Sequence, residues 1–373
     1  MLERPLCVVG DVHLGEAARE PVGVDLARLI ARFPEHEVLL DGDTFDLSIE
    51  PASRPPEECV TRILRHHPEA RAALASARVT FVAGNHDAAI AAPSVTAALR
   101  AELGADVPVA PWFVRRGSVH VEHGHLYDPD NAPTHPLARW TLATEPLGVA
   151  LTRRFVAPTR SWEFFHGDET TPLAGLLRAF RLYGARAPLT VARYFATAAA
   201  LVREAGHQPG VAEERATGAR AVADFAREVG LDADALHELS LAAAGATHHR
   251  RGATFQRLYL DRSLASALLV LALGGAALGS GAGAGVAAVA ASYLGFSVAR
   301  GTNRYGGLLS RRLGDAAQRV RGLTGASLVV FGHTHRSAEH EGYLNPGSFA
   351  FPEGASRRYV LVERDGSARL AEL

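Results

Sequence analysis

Five short apolar runs in this 373-residue chain stop at polar residues of the same few kinds. They read "LCVVGDVH" (6–13), "EVLLDGDTFD" (37–46), "VTFVAGNHD" (79–87), "SVHVEHGH" (118–125) and "SLVVFGHTH" (327–335). A short apolar run bounded by polar punctuation is the pattern of a buried strand, and the carboxyl ends of such strands are where α/β sheets build their sites. Between the runs, segments 25–33, 57–77 and 94–103 space Leu, Ala and Arg as helices do. The chain is therefore expected to be an α/β protein with five loops on one rim. The last run adds a geometric hint. Residues i and i+2 of a strand point to the same side, so His333 and His335 can converge on one point past its end. Alone, that pair fits a polar turn equally well, and the other loops must decide.

The length allows two domains, or one domain with a large insertion. With 39 basic and 40 acidic residues, a formal net charge of −1, no nucleic-acid scaffold role is expected. The two cysteines, Cys7 and Cys59, are too few for a disulfide framework and point to a reducing compartment. The start, "MLERPLCVVGDVHLG", lacks the basic-then-apolar layout of a secretory signal, so a cytoplasmic location is expected. From His125 to about Leu323 the pattern changes to Ala- and Arg-rich helical stretches without a strand. The runs on either side both carry candidate site residues, so residues 1–126 and 323–373 are expected to form one domain, interrupted by a helical insertion at 127–322.

The rim residues are Asp11 and His13 from "GDVH", Asp43 from "GDTFD", Asn85 and His86 from "GNHD", His123 from "EHGH", and His333 and His335 from "GHTH". Gly10, Gly42, Gly84, Gly124 and Gly332 flank them, as tight backbone turns require. Taken in order, D-x-H, G-D-x-x-D, G-N-H-D, H-G-H and G-H-x-H, the set resembles the calcineurin-like metallophosphoesterases, over about residues 5–126 and 325–350. The resemblance implies a four-layer α/β/β/α sandwich with a large helical insertion. It also implies a hydrolase that cleaves phosphomonoesters, phosphodiesters or pyrophosphates with a hydroxide bridging two divalent metals. By the family's pattern one metal takes Asp11, His13 and His335, the other takes Asn85, His123 and His333, and Asp43 bridges both. Carboxylate, amide and imidazole donors without a thiolate suit borderline-hard divalent ions: manganese first, with iron, zinc or cobalt as alternatives.

His86 is implied to contact the substrate phosphate and to stabilise the transition state or protonate the leaving oxygen, work a histidine near neutral pKa can do. Asp87 is expected to orient His86, and His125 to face the phosphate. Asp46 either fixes the loop around Asp43 or touches a metal. The segment "LNPGSF" (344–349) resembles the turn that follows the last histidine pair in this family and is expected to shape the loop behind the metals. His66, His67, His166, His248 and His249 lack matching neighbours and are expected to be solvent-facing or capping.

Residues 263–299 contain no charged side chain. A membrane span needs about 20 apolar residues, but His123 precedes this stretch and His333 follows it, so any crossings must be even in number. Two would need about 40 residues plus a turn, more than 263–299 offers. The expectation is a hairpin of two short helices near "GSGAGAG", or one kinked helix, with Gly275, Gly279 and Gly283 allowing close backbone approach. Such an element could be a buried pair, a surface for assembly into a homo-oligomer, or a membrane-dipping or lipid-binding lid. Arg250, Arg251, Arg257 and Arg262 before it, and Arg300, Arg304, Arg311 and Arg312 after it, suit a phosphorylated substrate or anionic headgroups at the cytoplasmic face of a membrane. Within the family, the UDP-2,3-diacylglucosamine pyrophosphatases are similar in placing apolar helices between the fourth and fifth motifs; they carry arginine where this chain has His86. The substrate is therefore expected to be a phosphorylated small molecule or lipid. The alternative is a membrane-associated structural or partner-binding protein on the same fold with little catalysis.

Overall fold

The computed structural model describes residues 1–16, 21–161, 172–299 and 308–373. His166, Arg300 and Arg304 lie outside the described residues. The chain divides into two compact units, one made of 1–153, 209–246 and 309–373, the other of 154–208 and 247–308.

The first unit contains two sheets. In one, β1 (Leu6–Gly10), β2 (Glu37–Asp41), β3 (Val79–Val82) and β4 (Val109–Ala110) run parallel. The other holds β5 (Phe113–Arg116), β6 (Val119–Glu122), β7 (Leu328–Phe331), β8 (Ser337–His340) and β9 (Tyr343–Pro346), in the order β5-β6-β7-β9-β8. The first sheet is completed by β10 (Arg358–Val362) and β11 (Ala368–Glu372), giving β11-β10-β1-β2-β3-β4. All five apolar runs are strands, as expected. Register then positions the site. Gly10 lies opposite Asp41, and Asp41 opposite Val82, so β1, β2 and β3 finish level and their loops share one edge. In the second sheet Glu122 lies opposite Phe331, which sets His123 beside Gly332.

Val8, Leu39 and Val82 from one sheet meet Val121, Val330 and Leu344 from the other in an apolar cluster between the sheets. The outer face of the first sheet is covered by helices 22–32, 56–66, 68–76 and 93–103, through residues such as Leu26, Ile63, Leu74 and Leu99. Phe225, Leu236, Leu239, Leu313 and Val320 cover the second sheet's outer face, packing with Trp112, Phe113 and Phe331. They come from helices Val211–Val229, Ala233–Ala242 and Leu308–Thr324. This is the four-layer sandwich, and its last layer differs from the expected boundaries. Segments 127–153, 209–246 and 309–322, expected in the insertion, belong to the unit that carries the sheets. A strand-free stretch reads as one block, yet a helix with one apolar face must bury it, and a sheet's open face is where it can do so. The helix expected at 57–77 is two helices broken at His67, because Pro68 disfavours helical backbone in the residue before it.

The second unit is helical. Ala187–Glu204 is joined to the segment at 247–249 through His248, which is buried rather than solvent-facing, its Nε2 3.3 Å from Leu201 O and its Nδ1 3.0 Å from Gln208 Nε2. The charge-free stretch forms a hairpin of helices Leu260–Ala277 (18 residues) and Gly281–Ala299 (19 residues). Both are longer than expected, because the first helix starts three residues before the charge-free stretch and Leu278–Ser280, with Gly279 at φ 87°, completes the turn. The pair is also not buried: 11% and 17% of its two apolar windows are covered.

Candidate metal centre

The loops after β1, β2 and β7 hold their key residues in backbone conformations that ordinary residues avoid. Of the seven non-glycine residues with positive φ among the described residues, five are Asp11, His13, Asp43, His333 and His335. Each such residue costs on the order of 1–3 kcal/mol, and such strain clusters where function requires it. Close backbone approach keeps these loops together. A Cβ on Gly84 would fall 2.2 Å from Asp43 Oδ1 and 2.4 Å from Asp43 N.

The side chains converge in two adjoining groups. His335 Nε2 lies 3.1 Å from Asp11 Oδ1 and 3.2 Å from His13 Nε2. Asp43 Oδ2 lies 4.0 Å from His13 Nε2 on one side and 3.2 Å from His123 Nε2 on the other, and His123 Nε2 is 3.2 Å from Asn85 Oδ1. His333 is close by, its ring centroid 5.3 Å from that of His123, but its Nε2 meets Asp128 Oδ2 at 3.1 Å. Asp128 therefore takes one ring nitrogen of His333 and leaves Nδ1 for a ligand, the usual way a carboxylate orients a metal-binding imidazole. Asp11, His13, Asp43, Asn85 and His123 are all buried.

Electrostatics fit a cation at this point. Burial opposes ionisation of Asp11 and Asp43, but His335 and His123 outweigh it for Asp11, and His123 and His86 for Asp43, so both stay below the usual carboxylate range. Burial also opposes charge on His123, yet Asp43 and Asp11 push it up to about 10. The same contest, won by Asp11 and Asp46, raises His13, whereas burial prevails and lowers His335. Asp11 Oδ1 and His13 Nδ1 are buried without a well-formed hydrogen bond; Asp11 Oδ1 faces His335 Nε2 at 3.1 Å and His13 Nδ1 faces Asp46 Oδ2 at 3.6 Å. Buried carboxylate and imidazole atoms crowded together in this way, with no thiolate among them, are a donor set for a divalent ion. Among the described residues, three sets of carboxylate and imidazole ligand atoms lie within 4.8 Å of one another: Asp11, His13 and His335; Asp11, Asp43 and His123; and His13, Asp46 and His86. Both cysteines are elsewhere in the core, where burial pushes the Cys7 thiol up to about 12.

His86 sits beside His13, ring centroids 5.0 Å apart. Its Nδ1 is 2.8 Å from Asp46 Oδ1 and 2.7 Å from Ser48 Oγ, whose hydroxyl donates to the same Oδ1 at 2.6 Å. A carboxylate only accepts, so the proton is on Nδ1 and Nε2 is the nitrogen left over. Burial opposes charge on His86, but Asp46 and Asp43 hold its pKa above the ordinary value. The orienting carboxylate is thus Asp46, and the expectation for Asp87 is corrected. Asp87 turns away from the His86 ring because four backbone amides surround it: Oδ1 accepts from Gly84 (2.7 Å) and Asp43 (3.3 Å), Oδ2 from Thr44 (2.8 Å) and Phe45 (3.2 Å). It ties the Asp43 loop to the Asn85 loop. Burial, and then Asp43, push its pKa up to about 6. His125 is buried with its ring 5.4 Å from that of His123, and burial together with His123 and His333 keeps it well below the ordinary histidine value.

Asn345, from the "LNPGSF" turn, donates through Nδ2 to Gly332 O (2.7 Å) and accepts from Gly347 N (2.8 Å). Ser348 Oγ donates to Asp11 O (3.1 Å), so this turn joins the last histidine loop to the first aspartate loop. His67 is buried, its Nε2 3.1 Å from Gly15 O, whereas His66 is exposed as expected. Sequence reasoning missed Asp128 and Asn131, whose amide donates to Asp128 Oδ2 (2.7 Å) and whose Oδ1 accepts from Asn85 Nδ2 (3.2 Å). They stand in "LYDPDN", which reads as turn punctuation; its nearness to His125 was the one available signal.

No curated protein and no solved structure matches the chain. The calcineurin-like phosphoesterase family matches residues 4–233, which include four of the five motifs. His333 and His335 lie beyond that match, and the fold returns them to Asp11 and His123. With well over half of its length matched and the motif residues gathered at one edge of the sandwich, the chain belongs to the calcineurin-like phosphoesterase family, a family of phosphoester hydrolases.

Proposed function

We propose that this phosphoesterase works with two divalent transition-metal ions, one held by Asp11, His13 and His335, the other by Asn85, His123 and His333, with Asp43 shared and manganese the first candidate. The observation that carries this reading is the position of Asp43, whose Oδ2 lies between His13 Nε2 (4.0 Å) and His123 Nε2 (3.2 Å). When bound, such ions act as Lewis acids on a phosphoryl oxygen and on the attacking water. The chain's own residues do the rest. Asp46 and Ser48 hold the His86 ring by Nδ1, so its Nε2 can meet the phosphate or hand a proton to the leaving oxygen. Asp87 fixes the spacing of the Asp43 and Asn85 loops through four backbone amides. His125, its ring 5.4 Å from that of His123 and its pKa held below the ordinary histidine value, can meet the phosphate as a neutral hydrogen-bonding group.

The substrate on this reading is a phosphoester carried on an apolar tail, met at the cytoplasmic face of a membrane. The exposed hairpin supports it, since a chain with so much uncovered apolar surface is concentrated where lipids are. The test is to load the protein with manganese and compare phosphomonoesters, phosphodiesters, nucleotides and short- and long-chain phospholipids. Turnover is expected on at least one ester class, with higher catalytic efficiency on the longer chain, each buried methylene adding about 0.8 kcal/mol. Equal efficiency at both chain lengths removes the lipid preference. No turnover on any class with the metals bound leaves the partner-binding alternative.

A further inference from the structure

We propose that the Leu260–Ala299 hairpin inserts into a lipid bilayer as a helical pair, entering and leaving on the same side. Its packing is the reverse of a water-soluble hairpin. The residues buried in it are small, Ala265, Ala272, Ala287 and Ala290. Gly275 and Gly283 set the spacing: a Cβ on Gly283 would fall 2.7 Å from Ala276 N and 2.9 Å from Ala272 O. The large apolar side chains point outward, Leu271 being 73% exposed and Val289 72%. A helix pair in water hides its large residues, whereas one in lipid gains nothing by doing so and packs through small ones.

The distribution of that exposed surface identifies what covers it. At about 100° per residue, the exposed Leu268, Val270, Leu271 and Leu273 point to widely separated directions around the first helix. A second copy of the chain, or a partner protein, would cover one stripe and leave the others in water. A bilayer covers them all. Length agrees: 18 and 19 residues rise about 27 and 28 Å, against a hydrocarbon core of about 30 Å. The even number of crossings leaves both ends, and hence both flanking segments, on one side.

The polar groups collect at the open end. Asp261, the hairpin's one acid, accepts from Tyr293 Oη (2.6 Å), and Arg262 Nε donates to Ser297 Oγ (2.8 Å). The tip, Leu278–Ser280, carries no charge. Arg250, Arg251 and Arg257 precede the hairpin on its open side, where anionic headgroups would meet them.

The test uses the full chain and vesicles of phosphatidylcholine and phosphatidylglycerol. Leu271→Cys and Val289→Cys variants carry an environment-sensitive fluorophore; the native cysteines, both buried, do not compete for the label. We expect the protein to float with the vesicles and stay bound in high salt and alkaline carbonate. Both labels should shift to the blue and be quenched by lipids brominated along the acyl chain, not by a water-soluble quencher. Leu271→Arg with Val289→Arg should cut the vesicle-bound fraction at least tenfold. Release by salt would show attraction by the arginines alone and overturn insertion. So would a detergent-free monomer that does not float, or a dimer without lipid that the two arginines dissociate. None of these readouts involves metal or turnover, so their failure leaves the phosphoesterase reading untouched.

Discussion

Replacing Gly42 with alanine should damage the centre through a contact of known geometry. Gly42 has φ 73°, and a Cβ there would sit 2.3 Å from His123 Cγ and 2.4 Å from its Nδ1. His123 is fully buried and held by a 2.9 Å hydrogen bond from Nδ1 to Asp41 O, so its ring cannot yield without losing that bond. Gly104 supplies the control, since its φ is 67° and an added Cβ would meet nothing within 4 Å. Gly104→Ala therefore carries only the left-handed backbone penalty, about 1–2 kcal/mol. Gly42→Ala adds overpacking of about 1–3 kcal/mol and the lost hydrogen bond of about 1 kcal/mol, for a total of about 3–6 kcal/mol. Urea unfolding in chelator, followed by tryptophan fluorescence, measures both variants without metal. A difference between them below about 1 kcal/mol would refute the close approach of the Asp43 and His123 loops.

His86→Ala should keep its metals and its fold while turnover falls about a hundredfold to ten-thousandfold. Metal analysis also decides the His13, Asp46 and His86 donor group, because loss of an ion in this variant would make His86 a ligand. Asp87→Ala leaves four backbone amides without their acceptor and should destabilise the apo protein by more than about 2 kcal/mol in urea, whereas an orienting role alone would leave stability unchanged. At Glu37, burial opposes ionisation but hydrogen bonds from Arg116 (Nε to Oε2 2.9 Å) win, so its folded pKa is lowered. The stability it contributes is present above the ordinary glutamate value, about 4.3, and is lost as pH falls through the lower folded value. Arg116→Gln should cost about 1–2 kcal/mol at pH 7 and progressively less in acid; a pH-independent difference would assign the effect to packing.

The rim was legible because each ligand loop follows an apolar strand, and the motif order survives however much chain intervenes. What escaped was governed by contacts between distant segments. Strands β8 and β11 have exposed or half-exposed residues along most of their length, so no apolar run marks them. The helices carrying Phe225, Leu236 and Leu313 look no different in sequence from those of the second unit; only the sheet face they cover distinguishes them. Asp87 and Asp46 illustrate the same limit at the site. Adjacency suggested that Asp87 would serve His86, but successive side chains diverge, and the aspartate forty residues earlier reaches the ring. The hairpin's length was misjudged because charge was used to bound it, while Asp261 and Arg262 are accommodated inside the first helix by Tyr293 and Ser297.

In the proposed mechanism two metal ions meet at Asp43, and a metal titration tests that directly. Chelator-stripped protein titrated with manganese, with bound metal and phosphoester turnover read on the same samples, should reach full activity only near two ions per chain. The Asp43→Ala variant should retain neither ion tightly, because Asp43 Oδ2 stands 4.0 Å from His13 Nε2 and 3.2 Å from His123 Nε2 and is the donor both ions would share. Full activity in stripped protein, or two tightly held ions in Asp43→Ala, would contradict the account.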